Sequence, residues 1–270
     1  MKKFLKYRTH DVAFGARMPA GIPGDLTRKQ GSIVEARQFD ATNPPAVYGV
    51  PVVIETTGGV RKVLSTDTSA SIYGFILRPF PISNINTTDG LGTSGVNTNF
   101  PADIARKGYI DVVLQNSTAA ALAGQVYVRA AATSGSLLQG GIEAAASSTI
   151  AAAAKGGITG NGTCTALSVK SAAMTGVYKV IVEIAGTNSA TWNLYSPDGD
   201  LLDQKQYSGS GSTAVFSNPE IGFTITDGST DFVVGDEFDI TVTLVNIAVP
   251  NCTFMGAADS TGNVEISYKM

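Results

Sequence analysis

Apolar positions along this chain fall in short runs separated by Gly, Pro and Asn, a pattern that reads as a series of short strands. Residues 32–38 (SIVEARQ) alternate weakly and make the first candidate. Residues 48–55 (YGVPVVIE) make the second, and Pro51, which has no N–H to give a ladder, suits a sheet edge. Gly58-Gly59 marks a hairpin turn into residues 60–64. Residues 71–78 (SIYGFILR) are the most apolar run and are expected at a sheet centre, closed by Pro79 and Pro81. Residues 83–99 form a polar Gly/Asn/Thr loop of a length that is usually functional or mobile. Residues 101–107 are expected to make one helical turn, with Pro101 near its start and Gly108 as its stop. Two strands follow, 109–115 (YIDVVLQ) and 125–130 (QVYVRA).

Residues 144–154 (AAASSTIAAAA) are a low-complexity tract. A lone helix of about three turns is marginal in water, so the tract reads as a connector ended by Gly156-Gly157. Beyond it come six strand candidates, at 165–170, 176–185, 190–195, 201–207, 222–226 and 236–245. Turns such as Ser196-Pro197-Asp198-Gly199 and Asp227-Gly228-Ser229 separate them. That spacing suits a small antiparallel sandwich whose core would gather Trp192, Phe223, Phe232 and Phe238. Residues 263–269 (NVEISYK) alternate like a strand, in a tail too short to be a domain. The expected fold is therefore all-β. An extended arm covers 1–30, and a jelly-roll or barrel-like β-sandwich covers 31–155 plus 248–270. A second, Ig-like antiparallel β-sandwich is inserted over 156–247, a loop that closes cheaply when the insert's ends lie together.

The leader differs from everything after it. In residues 16–28 (ARMPAGIPGDLTR), Pro19 and Pro23 lack a backbone donor, and Gly21 and Gly24 resist ordering, so neither a helix nor a strand interior is expected. Met18 and Ile22, each before a proline, are pushed toward extended backbone. Yet Met18, Ile22 and Leu26 are more apolar than a free linker requires. Such an arm either lies on another molecule or folds back on its own domain, and both readings are open at this point.

Composition narrows the class. Hydrophobic residues at 43% suffice for a core, while charged residues are only 15% and glycines number 30, as in a β-rich chain with tight turns. Net charge is −3, unevenly spread. Residues 1–30 carry Lys2, Lys3, Lys6, Arg8, Arg17, Arg28 and Lys29 against Asp11 and Asp25, whereas residues 157–247 carry three lysines against ten acids. A basic leader and an acidic block give the chain a polar axis. Phe4, Leu5 and Tyr7 interrupt the basic cluster and no basic stripe continues, so nucleic acid is not an expected partner. Nor is a membrane, because no run reaches spanning length and Arg8, His10 and Asp11 break any secretory apolar core. Cys164 and Cys252, 88 positions apart, read as free thiols of a protein made in a reducing cytosol.

Catalytic chemistry has little to work with. His10 is the single histidine and nothing near it in sequence orients it. Walker, dinucleotide and zinc spacings are missing, and Gly209-Ser210-Gly211 lacks the nucleophile-elbow pattern. Asp198, Asp200, Asp203, Asp227, Asp231, Asp236, Glu237 and Asp239 cluster around turns, where Asp bonds its own backbone, although a bound cation is conceivable there. Trp192, alternating with Leu194, reads as core in preference to a sugar platform. The sequons at Asn116, Asn161 and Asn251 carry weight only in a secreted protein. No enzyme, cofactor or metal is expected.

With these residues laid out, ARMPAGIPGDLTR at 16–28, YGVPVVIE at 48–55, IYGFILRPFP at 72–81 and VPNCTFMGAADSTGNVEISY at 249–268 resemble the structural cement, or head decoration, proteins of tailed bacteriophages. Separately, GITGNGTCTALSV at 157–169 and GFTITDGSTDFVVGDEFDITV at 222–242 are similar to a β-module of phage head proteins. The resemblance implies a non-enzymatic protein on the outer virion, contacting the major capsid protein and other copies of itself at a two-fold or three-fold axis. It implies capsid contact at Arg17, Met18, Pro19, Ile22, Pro23, Gly24, Asp25, Leu26 and Arg28, and so favours the partner-bound arm. The alternative is a carbohydrate-binding or adhesive β-sandwich whose insert reads host glycans.

Overall fold

The computed structural model describes residues 21–79, 95–115 and 119–269. His10, Arg17, Met18, Pro19, most of the polar loop expected at 83–99 and the sequon at Asn116 lie outside the described residues. In chain order the strands are β1 (Leu26–Arg37), β2 (Pro51–Ile54), β3 (Val60–Lys62), β4 (Ile72–Ile76), β5 (Ala102–Val113), β6 (Gln125–Arg129) and β7 (Ile142–Glu143). Then follow β8 (Ser148–Ala154), β9 (Thr163–Val169), β10 (Gly176–Gly186), β11 (Ser189–Tyr195), β12 (Leu201–Ser208) and β13 (Thr213–Ser217). The last are β14 (Ile221–Thr226), β15 (Glu237–Leu244), β16 (Asn246–Phe254) and β17 (Asn263–Lys269). One 3-10 turn at Ser69–Ser71 is the only helical piece among the described residues. Two compact units result, one running to Ala146 and resuming over Asn246–Met270, the other Ser147–Val245.

The first unit holds one antiparallel sheet in the order β3-β2-β4-β5-β17-β16-β6-β7, with β1 on β5. β5 is its axis: Ala105 pairs with Val34 and Phe75, and Ile110 pairs with Leu26 and Ile266. Residues 102–107 are thus strand, where the sequence suggested a helical turn. Neighbours on both sides satisfy the backbone, and that outweighs a weak local preference. Likewise β1 begins at Leu26, inside the leader, and not at Ser32. Register shifts between Leu26 and Val34 let it kink past Gly31, at φ +79°, and continue. Pro51 is not at an edge, since β2 lies between β3 and β4; as the first residue of its strand it disturbs the ladder least. Val52, Val60, Ile76 and Ile104 pack with Tyr48 in the core. Among the described residues the sheets are open, so the barrel-like element of the expectation is not met, while the all-β sandwich is.

In the second unit a sheet in the order β12-β11-β10-β15-β8 shares one core with a sheet β13-β14-β9. Trp192 meets Phe232 edge-on at 4.8 Å and Phe238 at 5.7 Å, while Phe223 stacks on Phe216 at 4.5 Å. The alanine tract is no connector. β8 pairs with β15 from Ser148–Leu244 to Ala154–Phe238, and Ile150 and Ala152 turn toward the core. An open strand edge recruits a backbone whose small side chains obstruct nothing. The division accordingly falls at Ala146, ahead of residue 156. Val245 N donates to Ser147 O at 3.0 Å, so this unit's two ends meet, as an insertion requires.

Candidate functional site

The leader's proline and glycine spacing sets its path across the first sheet. Pro23-Gly24 turns the chain, with Asp25 N donating to Ile22 O at 3.0 Å and Gly24 at φ +92°. Gly24 N then donates to Asp111 O at 2.8 Å, Asp111 N to Asp25 O at 2.9 Å and Arg78 N to Gly24 O at 2.9 Å. A Cβ on Gly24 would lie 2.7 Å from Tyr48 Cβ, and one on Gly49 would lie 2.8 Å from Gly24 N. Only glycines permit that crossing. Arg78 adds a hydrogen bond from Nε to Pro23 O at 3.2 Å, with its guanidinium 5.0 Å from the Tyr48 ring centre.

Further along, Arg28 lies 4.0 Å over the Tyr109 ring and grips Glu265 through Nη2 at 2.9 Å and Nε at 3.3 Å. Thr27 Oγ1 donates to the same carboxylate. The Arg28 side chain is 52% exposed, so this pair directs the chain more than it stabilises it.

Beneath the leader sits Asp111, directly opposite Glu265 in the β5–β17 ladder. The residue is 0% exposed, and neither carboxylate oxygen has a side-chain partner among the described residues; the Val112 N–H is the one donor that pulls its carboxyl down. Gly21 passes so close that a Cβ there would be 3.5 Å from Oδ2. Burial first, then the charges of Asp259, Asp25 and Glu265, push the Asp111 carboxyl up to about 7. Burial also raises Asp25, against the opposing pull of Arg78. Beside the leader, a cleft of about 370 Å³ runs between Leu26, Val34, Leu77 and Arg78. A second, of about 320 Å³, lies against Phe39, Leu77, Pro79 and Phe100. Ile33, Val34 and Phe100 are exposed around them.

Several acids of the second unit are engaged within it. Asp236 accepts from the backbone N–H groups of Thr159, Gly160 and Val233, which hold its carboxyl below the usual range against the upward push of burial. Asp227 accepts from Tyr207 and Asp231 from Asn188 N, and Ser196 bonds Asp200 N across the Pro-Asp-Gly turn. Among the described residues no group of three or more His, Cys, Asp or Glu is placed to hold a metal. Trp192 is wholly buried, and Tyr195, half-buried at the end of β11, is the one aromatic ring of this unit with appreciable exposure. Cys164 and Cys252 are free thiols.

Of the residues expected at the capsid, Ile22, Pro23, Gly24, Asp25, Leu26 and Arg28 come together over β5 and β17 of their own unit, and Gly24 is buried there. The leader is therefore folded back onto its domain from Ile22 onward. Sequence reasoning passed over Asp111, Tyr109, Glu265 and Arg78, the residues that receive it. The one available signal was an Asp within the apolar run YIDVV.

The model of the XM1 gp53 minor capsid protein family matches residues 12–185, well over half of the chain. The chain belongs to that family of phage capsid proteins and has a structural role in the virion. No curated protein matches it. Among solved structures, the crystal structure of Xanthomonas campestris FlgL shares 21% identity at a TM-score of 0.27, over 37% of this chain and 30% of that one. The chain thus spans less than a third of that protein's length, and the likeness carries no argument.

Proposed function

We propose that this protein is a capsid decoration, or cement, protein that binds the outside of the head across seams between major capsid subunits and stabilises it against DNA pressure. The role is mechanical, with no catalytic step. The observation that carries the reading is the fastening of residues 22–28, where three backbone hydrogen bonds and the Arg28–Glu265 pair tie the leader's base to β5, β17 and Arg78. A pull on residues 1–20 is then borne by a whole sheet. Those residues combine Lys2, Lys3, Lys6, Arg8 and Arg17 with Phe4, Leu5, Tyr7, Phe14 and Met18, a composition suited to an acidic and apolar partner surface. In this reading Arg17, Met18 and Pro19 touch the capsid, and residues 22–28 are their footing. The exposed Ile33, Val34 and Phe100 widen the contact. Copies meeting at a local symmetry axis raise avidity by roughly 10²–10⁴ without new contacts.

The test mixes undecorated capsids with the full chain and with a chain starting at Gly21, which keeps every hydrogen bond described above. The full chain should sediment with capsids and raise their heat resistance, and the shortened chain should do neither. Equal binding by both would overturn the assignment of the leader as anchor.

A further inference from the structure

We infer that Asp111 is a proton-operated latch on the leader: while its carboxyl is neutral, residues 21–25 stay packed over β5, and when it ionises they lift. The inference concerns how the leader is held by its own sheet, and it stands whether or not the leader meets a capsid.

Contrast with the other buried acids makes the case. Glu143 bonds Gln115, Arg129 and Asn246, Asp227 bonds Tyr207, Asp236 takes three backbone N–H groups, and Glu237 pairs with Lys155. Asp111 is as buried as any of them and has no side-chain partner. An ionised carboxylate in that position must find a cation, a set of donors, water or a proton. Among the described residues its surroundings offer no free cation. Glu265 faces it from β17, Asp25 from the leader and Asp259 from the turn before β17, all acidic. Arg28, from β1, is engaged with Glu265 and Tyr109, and Arg78 lies against Pro23 O and the Tyr48 ring. Three or more of these carboxylates are not arranged to share a metal among the described residues. Among the groups the described residues supply, a proton is the remaining solution.

Water is the alternative once the proton leaves, and the leader is what keeps water out. Gly21 covers the carboxyl, and the backbone of the same Asp111 exchanges hydrogen bonds with Gly24 and Asp25. Rehydrating the side chain and releasing those bonds are therefore one local event. Because the lifted state releases the proton near pH 4 and the packed state holds it to about 7, lifting should grow up to tenfold per pH unit between these values and then level off.

Hydrogen exchange of the full chain tests this. Amides of residues 22 and 24–28, corrected for intrinsic exchange, are followed from about pH 5 to about pH 8.5, a window bracketing the titration. Wild type should lose protection up to about pH 7 and then plateau, while β17 amides below Glu265 keep theirs. Asp111→Asn should show no slope, and Asp111→Val, free of any amide to satisfy, should behave alike even if Asn perturbs packing. A flat wild-type profile, or a slope that survives in both variants, would overturn the latch. So would protection that calcium or magnesium restores at high pH and a chelator removes, since that would make Asp111 a metal ligand.

Discussion

Gly24 and Asp111 decide how the leader is held, one by lacking a side chain and the other by burying one. At Gly24 the backbone is left-handed and any Cβ collides with Tyr48. Gly24→Ala should therefore cost roughly 2–4 kcal/mol, the sum of left-handed strain and overpacking, read as a lower urea midpoint with an unchanged slope. At Asp111 the sign follows from the proton. The folded chain keeps it to about 7 and the unfolded chain releases it near 3.8, so folding takes up a proton between those values. Unfolding free energy then falls as pH rises from about 4 to about 7 and changes no further through this group. Asp111→Asn should flatten that part of a melting-temperature profile. The two thiols are a milder case. Burial pushes Cys164 up to about 12 and Cys252 higher still, so native protein should alkylate slowly at both and rapidly once denatured.

At the scale of elements, β8 is the informative strand. A fragment covering residues 147–245 retains β8 and should fold cooperatively, with the near-ultraviolet signature of a buried Trp192. A fragment covering 156–247 leaves the β15 edge bare and should aggregate. Equal behaviour of the two would show that the alanine strand is dispensable. β6 and β10 were legible because alternating residues state both faces, and β4 and β11 because short apolar runs end at clear turns. β8 was hidden because alanine states neither. β13 had a usable signal, with Ala214 and Phe216 inward and Val215 outward, masked by the Gly/Ser turn before it. The start of β5 was misread because Ala102, Ala105 and Lys107 suit a helix until strands on both sides claim the backbone. Asp111 was beyond reach for a related reason. Tyr109 and Asp111 share one face of β5, and the leader, about ninety residues earlier in sequence, turns that face into an interior.

For the whole molecule, the question is which end of the polar axis meets the capsid. The leader is basic, and the second unit carries ten acids against three lysines over 157–247. The family match, from residue 12 to residue 185, takes in most of the leader as well as part of the second unit. Anchoring through the leader should weaken with salt, since Lys and Arg supply much of its attraction, while apolar contact leaves a residue of binding at high ionic strength. Binding that strengthens with salt throughout would point to an interface without the leader's charges. The most direct measurement is lysine cross-linking of the full chain on intact capsids, read by mass spectrometry. The account predicts that Lys2, Lys3 and Lys6 join to the major capsid protein while Lys170, Lys179 and Lys205 do not; cross-links to the capsid from those three lysines, with none from the leader, would contradict it.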